Sequence, residues 1–348
     1  MARLRSAILG CGGRARGHAE AYRAGVPSAT LVACCDMDQG RLDAFAGHFG
    51  ITGRYTDLST MLREVQPDLL HVVTRPSFRP PVLETILRER PRAVLVEKPL
   101  GHRPSEGWAW TLGCRDAGIP LFVNHQLRFH RPFERLREIV RGGTLGRLEF
   151  GQVSSRNDIL DQGTHVFDLA DFVLDGLAAG WVFAQASGGR GYARGSDAPE
   201  YCAGTICFGE SLHFGFECGR PAATWRQEPE GNWNKGLEIV GEQGRAGASS
   251  NHGWWAQTVA GGLQGESVPY PTEDLHAQAA LTESILGVLS DRPEAHRNHA
   301  TTALASFRLI MAAQRSAVLR RRVDPAERFP DEVLTALRAQ LEADDQVG

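Results

Sequence analysis

In its first 125 residues the chain sets short apolar runs against helical patterns, and this alternation limits its fold more than any other feature. RSAILG (5–10), TLVACC (30–35), DLLHVV (68–73), AVLV (93–96) and LFV (121–123) read as strands buried on both faces. Helical patterns lie between them, around 18–24, 40–48, 81–89 and 104–117. Regular strand–helix alternation predicts a doubly wound parallel sheet with helices on both faces. Beyond about residue 146 the texture changes. LEFGQVSS, AGWVFAQAS, YCAGTICF, SLHFGFE, ATWRQEP and LEIVGE are strand-like and separated by Gly, Pro, Asn and Asp turns, the pattern of a mostly antiparallel sheet. Two helical stripes follow, one through Leu281, Ile285 and Val288 and one through Leu304, Phe307 and Met311. The expected architecture is an α/β Rossmann-like domain over 1–124, then an α+β domain with a large open sheet over 125–348.

A chain of 348 residues favours two cores over one. A formal charge of −3 gives no basic surface for nucleic acid or an anionic membrane. No stretch reaches the roughly 18–20 apolar residues of a membrane span, and the N-terminal apolar run is too short for a signal segment. Seven cysteines with no CxxC pair read as free thiols, which places the chain in a reducing cytoplasm.

The first strand ends in GCGGRARGHAEAY (10–22), where Gly10, Gly12 and Ala15 fit G-x-G-x-x-G/A at a strand-to-helix turn. Bare backbone there lets a pyrophosphate approach a helix N-terminus. The second strand ends at Asp36, 24 residues beyond Gly12, where a carboxylate meets the ribose diol of a dinucleotide. A carboxylate at that point repels the 2′-phosphate of NADP and favours NAD, while Arg41 leaves NADP possible.

Only two of the 38 Lys and Arg residues are lysines, Lys98 and Lys235. Lys98 closes the strand AVLV within Glu97-Lys98-Pro99, at the C-terminal end of a parallel strand, where open α/β sheets place their ligands. An ammonium there can donate to a substrate hydroxyl and still change its pKa with its surroundings; a guanidinium stays protonated.

These features, together with NHQLRF (124–129) and DQGTHVFDL (161–169), resemble the Gfo/Idh/MocA family of dehydrogenases (glucose–fructose oxidoreductase, inositol dehydrogenase, rhizopine catabolism) from about Ile8 to Ser316. The resemblance implies a Rossmann domain joined to an open antiparallel sheet with the active site between them. It also implies hydride transfer between a nicotinamide and a hydroxyl-bearing carbon of a sugar or cyclitol. It puts Gly10, Gly12, Gly13, Arg14, Ala15, Asp36, Thr74, Pro76, Glu97, Lys98 and His125 at the cofactor. Lys98, Arg128, Asn157, Asp161 and His165 fall at the substrate, with Trp233 and Trp255 as further candidates. Dimers or tetramers built through the second-domain sheet are implied as well, and that sheet mixes apolar and aromatic residues on both faces.

Asp161 and His165 are four apart, so a helix starting there would put both on one face, where the carboxylate orients the imidazole. The resemblance assigns His165 as general acid/base, Asp161 as its partner and Lys98 as the group on the substrate hydroxyl. The remaining histidines form no visible cluster, so no metal is expected. Transient oxidation by an NAD-dependent glycosidase or lyase, and a non-catalytic cofactor-binding regulator, remain open on sequence. One departure stands out. Where the family often has Thr-Pro-Asn followed by a histidine three residues after the Asn, this chain reads Thr74-Arg75-Pro76-Ser77-Phe78-Arg79.

Overall fold

The computed structural model describes residues 3–193, 197–222, 235–265, 269–289 and 291–347. In chain order the first half runs β1 (Leu4–Leu9), α1 (Gly13–Gly25), β2 (Ala29–Cys35), α2 (Gln39–Phe49), β3 (Gly53–Tyr55) and α3 (Leu58–Val65). Then come β4 (Leu69–Val72), α4 (Arg79–Glu89), β5 (Val94–Val96), α5 (Pro104–Asp116) and β6 (Leu121–Val123). The next elements are α6 (Arg131–Arg141), β7 (Leu148–Ser155), α7 (Gly163–Val173), β8 (Ala179–Ser187), α8 (Arg190–Ala193), β9 (Tyr201–Phe208) and β10 (Leu212–Gly219). The chain continues through β11 (Lys235–Gly241), β12 (Gly244–Ser249), β13 (Gly253–Thr258), β14 (Gly261–Gln264), α9 (Tyr270–Val288), α10 (Ala300–Leu319) and α11 (Glu332–Val347).

The first six strands form one parallel sheet in the order β3-β2-β1-β4-β5-β6. The expected Rossmann fold is therefore present. Local chemistry explains where its helices begin. Asp38 accepts from Arg41 N at 2.9 Å to start α2, and Asp57 accepts from Thr60 N at 2.8 Å to start α3. α1 is different: Gly12 caps it without a side-chain hydrogen bond, so its first N–H groups are left to a ligand. α1 begins at Gly13 rather than near 18, because the glycine loop carries no apolar period. β3 and α3 escaped the reading altogether; a three-residue strand is too short to show a pattern.

The chain divides into two compact units. One comprises Met1–Gly101, Glu106–Phe129 and Pro271–Leu304, and the other His102–Ser105, His130–Tyr270 and Ala305–Gly348. The first unit thus runs past the expected boundary at 124 and takes back a segment from late in the chain. The reason is packing. Ala279, Leu281, Ile285 and Leu286 of α9 share one core with Ala21, Leu69, Leu95 and Phe122. The edge of β6 is closed by a bridge from Phe122 to His299 and by Val123 N–H to Asn298 O at 3.0 Å.

The second unit is built on an eight-stranded sheet, β14-β13-β12-β11-β7-β10-β9-β8. It is antiparallel except where β7 and β10 run parallel, so the expected sheet of adjacent hairpins carries one crossover. α7 is buried along its whole length and packs on this sheet through Phe167, whose ring lies 5.1 Å from that of Phe216. Gly151 permits close packing between strands: a Cβ there would fall 2.2 Å from the ring of Phe214, its partner in register. The sheet also carries exposed aromatics, Phe150 and Phe183. ATWRQEP and Trp233 lie outside the described residues.

Candidate active site

In the first unit the strand order reverses between β1 and β4, the switch point at which open α/β sheets bind ligands. Gly10 sits there at φ +95°, and a Cβ on it would lie 2.4 Å from Val73 O, so the turn tolerates only glycine. Gly12 is exposed, and a Cβ on it would meet nothing within 4 Å; the space before α1 is open. Gly10, Gly12, Asp36 and Thr74 all line one cleft of about 740 Å³.

Asp36 is held by its surroundings in a receiving geometry. Its Oδ2 accepts from Cys11 N at 2.9 Å, and its Oδ1 accepts from Asp38 N and Arg41 Nη2, both at 2.9 Å. Burial pushes its carboxyl up, but the Arg41 guanidinium and the two N–H groups outweigh that and hold it below the usual carboxylate range. The Thr74 hydroxyl oxygen is buried and has no hydrogen-bond partner among the described residues. Met37 and Phe78, both exposed, add apolar walls. An open helix N-terminus, a carboxylate at the second strand's end, a buried hydroxyl awaiting a partner and flat apolar walls fit a dinucleotide. Met37 and Phe78 were missed because no motif marks them. Pro76 opens a 3-10 turn over Pro76–Phe78 beside the cleft, and Gly13 and Ala15 belong to the first turn of α1.

Arg14, expected at the cofactor, hydrogen-bonds to three side chains of the first unit. Its Nε donates to Glu97 at 2.8 Å, Nη1 to Asp274 at 3.0 Å and Nη2 to Gln278 at 2.9 Å. Glu97, expected at the cofactor, is buried, and its Oε1 also accepts from His18 Nε2 at 2.9 Å and Asn124 Nδ2 at 2.8 Å. Burial pushes this carboxyl up, yet Arg14, the His18 hydrogen bond and the Lys98 charge hold it well below its ordinary value. A carboxylate only accepts, so His18 Nε2 donates and its Nδ1 receives from His71 Nδ1 at 3.0 Å. His71 Nε2 then accepts from the Tyr22 hydroxyl at 2.7 Å. Both imidazoles are neutral in this chain of bonds, and burial lowers the pKa of each. The sequence showed no histidine cluster; His18 and His71 lie 53 positions apart and meet only in the fold. Among the described residues no group of three or more His, Cys, Asp or Glu is arranged to hold a metal ion.

Lys98 follows β5 and is half-buried, and the Lys98–Pro99 peptide is cis. Arg79, at the position of the departure noted above, is buried, with its guanidinium on the carbonyl oxygens of Thr74 and Pro99. His125 is buried, and its carbonyl accepts from Asn298 Nδ2 at 3.0 Å. Arg128 is buried too, and its Nη1 donates to Arg297 O at 2.8 Å.

Asp161, His165 and Asn157 belong to the second unit. α7 begins at Gly163, so Asp161 precedes the helix and the two residues do not share a helical face. Asp158 sets this turn by accepting from Leu160 N and Asp161 N at 2.9 and 2.8 Å. Asn157 Nδ2 donates to Asp161 Oδ2 at 2.6 Å, and Gln162 Nε2 to Oδ1 at 3.2 Å, which orients the carboxylate. His165 is buried in the first turn of α7, and Asp168 is buried one turn on. Trp255 lies in β13 with its indole across Gly247, whose Cβ would come within 2.9 Å of it.

Fold and cleft together define a dinucleotide-binding α/β unit followed by a second unit with an open sheet. Residues 4–125 match the Gfo/Idh/MocA model, described as an oxidoreductase family with an NAD-binding Rossmann fold. Similar proteins include a D-apiose dehydrogenase of Paraburkholderia graminis, 30% identical over 190 residues, or 49% of this chain and 50% of that one. A myo-inositol 2-dehydrogenase of Thermotoga maritima is 24% identical over 198 residues, 53% of this chain and 58% of its own. The chain spans about half the length of the curated relatives it matches. Among solved structures, an oxidoreductase from Agrobacterium radiobacter in complex with NAD+, L-tartaric acid and magnesium superposes with a TM-score of 0.80 at 22% identity, covering 93% of this chain and 99% of that one. It shows the shared fold.

Proposed function

We propose that the protein is an NAD-dependent dehydrogenase acting on a hydroxyl-bearing carbon of a sugar, sugar derivative or cyclitol. The observation that carries this reading is the cleft at the switch point, where Gly10, Gly12 and Asp36 converge with only β4 between β1 and β5, the strand that leads into Lys98. Relatives named as D-apiose and myo-inositol dehydrogenases support the substrate class. A bound nicotinamide supplies the hydride acceptor. Asp36 would accept from the ribose hydroxyls and would disfavour a 2′-phosphate. Lys98 donates to the substrate hydroxyl and favours the developing carbonyl. His165 takes the hydroxyl proton, and Asp161, oriented by Asn157, favours the imidazolium that results. The test is a cofactor-reduction screen over free sugars, cyclitols and glycosides, with NAD and NADP in separate arms. Absence of any reduced cofactor across all classes refutes the reading.

The reading includes self-association through the second unit's sheet, whose exposed Phe150 and Phe183 favour a covering surface. A monomer by light scattering at micromolar concentration refutes that part.

A further inference from the structure

We propose that Arg79 is a positioning residue that ties the Thr74 wall of the dinucleotide cleft to the Lys98 segment, so that one buried guanidinium sets both. The proposal rests on the dehydrogenase reading of this site. β4 and β5 are neighbouring parallel strands, in register from Leu70 opposite Val94 to Val72 opposite Val96. Their ladder ends with Glu97 N–H to Val72 O at 3.0 Å. Past that bond, one chain turns through Thr74 along the cleft wall and the other runs into Lys98 and Pro99. Arg79 spans the gap. Its Nε and Nη2 donate to Thr74 O at 3.0 and 2.8 Å, and its Nη1 donates to Pro99 O at 2.5 Å. All three nitrogens therefore end on main chain at the mouths of the two strands, on either side of Lys98's attachment to the sheet.

The choice of residue argues against a plain fold staple. Arg79 is 2% exposed, and no carboxylate accepts from it among the described residues; its partners are carbonyl oxygens. Burying a cation on neutral acceptors costs stability that a neutral donor avoids. Burial pulls its pKa down to about 10, with Glu97 and Glu106 opposing at longer range, so the guanidinium remains charged near neutrality. What the planar fork alone provides is two bonds in one direction and a third in another, held rigidly. Neither an imidazole nor an ammonium spans both carbonyls with that geometry. A shift of the Thr74 peptide is thereby transmitted to Pro99, and hence to the residue before it.

The chain's lysine content makes this testable. Lys235 is wholly buried, so in trace acetylation of the intact protein, read by mass spectrometry, it serves as the protected control: its labelling reports unfolding, while Lys98 labelling reports the folded site. Arg79→Met and Arg79→Lys are to be compared with the wild type in the full chain. The readouts are NAD titration, Lys98 acetylation with and without NAD, and steady-state kinetics on a substrate found by the screen. In Arg79→Met, the Lys98 acetylation rate shifts several-fold and no longer responds to NAD. Its kcat falls about tenfold or more, with substrate KM changed far less. Arg79→Lys, which keeps the charge but not the fork, lies between. An unchanged Lys98 rate, unchanged NAD response and unchanged kcat in a variant that merely melts earlier overturn the proposal. If Arg79→Met does not fold, the same readouts on Arg79→Lys decide. If the wild type binds no NAD, the dehydrogenase reading fails on its own, and the Lys98 rate without NAD still decides whether Arg79 places that residue.

Discussion

At the scale of single residues, chemistry turns on which charge can change and which cannot. Asp36 accepts two main-chain N–H groups and an Arg41 contact, so it stands ionised and oriented before any ligand arrives. Asp36→Ala should weaken NAD binding about 10- to 100-fold, the loss of a charge-assisted hydrogen-bond acceptor, and should leave NADP affinity equal or better. Parallel titrations of the two nucleotides check this; a retained NAD preference contradicts it. Lys98→Arg keeps the positive charge and removes the ability to titrate. It should lower kcat and kcat/KM together, on the order of 10²-fold or more, with NAD affinity little changed. Near-normal turnover would show that position 98 needs charge alone.

At the scale of elements, two glycines let backbones and rings approach where a methyl group cannot fit. Gly10→Ala places a Cβ 2.4 Å from Val73 O at a positive φ. Chemical denaturation should show a loss of about 2–4 kcal/mol, with NAD binding impaired because the β1–α1 turn shifts. In the second unit, Gly151→Ala drives a Cβ into the Phe214 ring, for a loss of about 1–3 kcal/mol. The same substitution in a Phe214→Leu background should cost less than the sum of the two alone, since both act on one contact. Additive urea midpoints would refute that coupling.

At the scale of the molecule, the buried bonds Tyr22–His71–His18–Glu97 tie stability to pH. His18 and His71 are neutral in the fold and their pKa values are lowered by burial. His296 is likewise pushed down to about 4 by burial and by Arg297. In the unfolded chain each titrates near 6.5. As pH falls below about 6.5 the unfolded state therefore binds protons that the fold refuses, and stability declines by about 1.4 kcal/mol per pH unit for each such group. Glu97, held well below its ordinary value, adds a second decline below about pH 4.5, where the unfolded carboxyl protonates. Melting temperatures from pH 8 to 4 should fall in that order, and His71→Asn should flatten the first limb. A melting temperature flat from pH 7 to 5 contradicts the assignment of neutral imidazoles.

Much of the first unit was legible in the sequence because its determinants are local. An apolar run bounded by glycines, an acid closing the next strand and an ammonium closing a later one each announce themselves within a few residues, and the parallel sheet follows from strand–helix alternation. The placement of Arg14, His18, His71, Gln278 and the Arg79–Pro99 contact was not, because these pairings run across 20 to more than 200 residues. No short pattern encodes such a pairing. The same holds for α9: its stripe predicted a helix, but only packing against Leu95 and Phe122 decided that it joins the first unit. At Asp161 the spacing suggested a shared helical face, and the Asp158 turn, which delays the helix to Gly163, decided otherwise. Local chemistry determined the strands, turns and candidate groups; the tertiary structure alone decided which buried charges and carbonyls meet, because only a closed core excludes the water that would otherwise satisfy them.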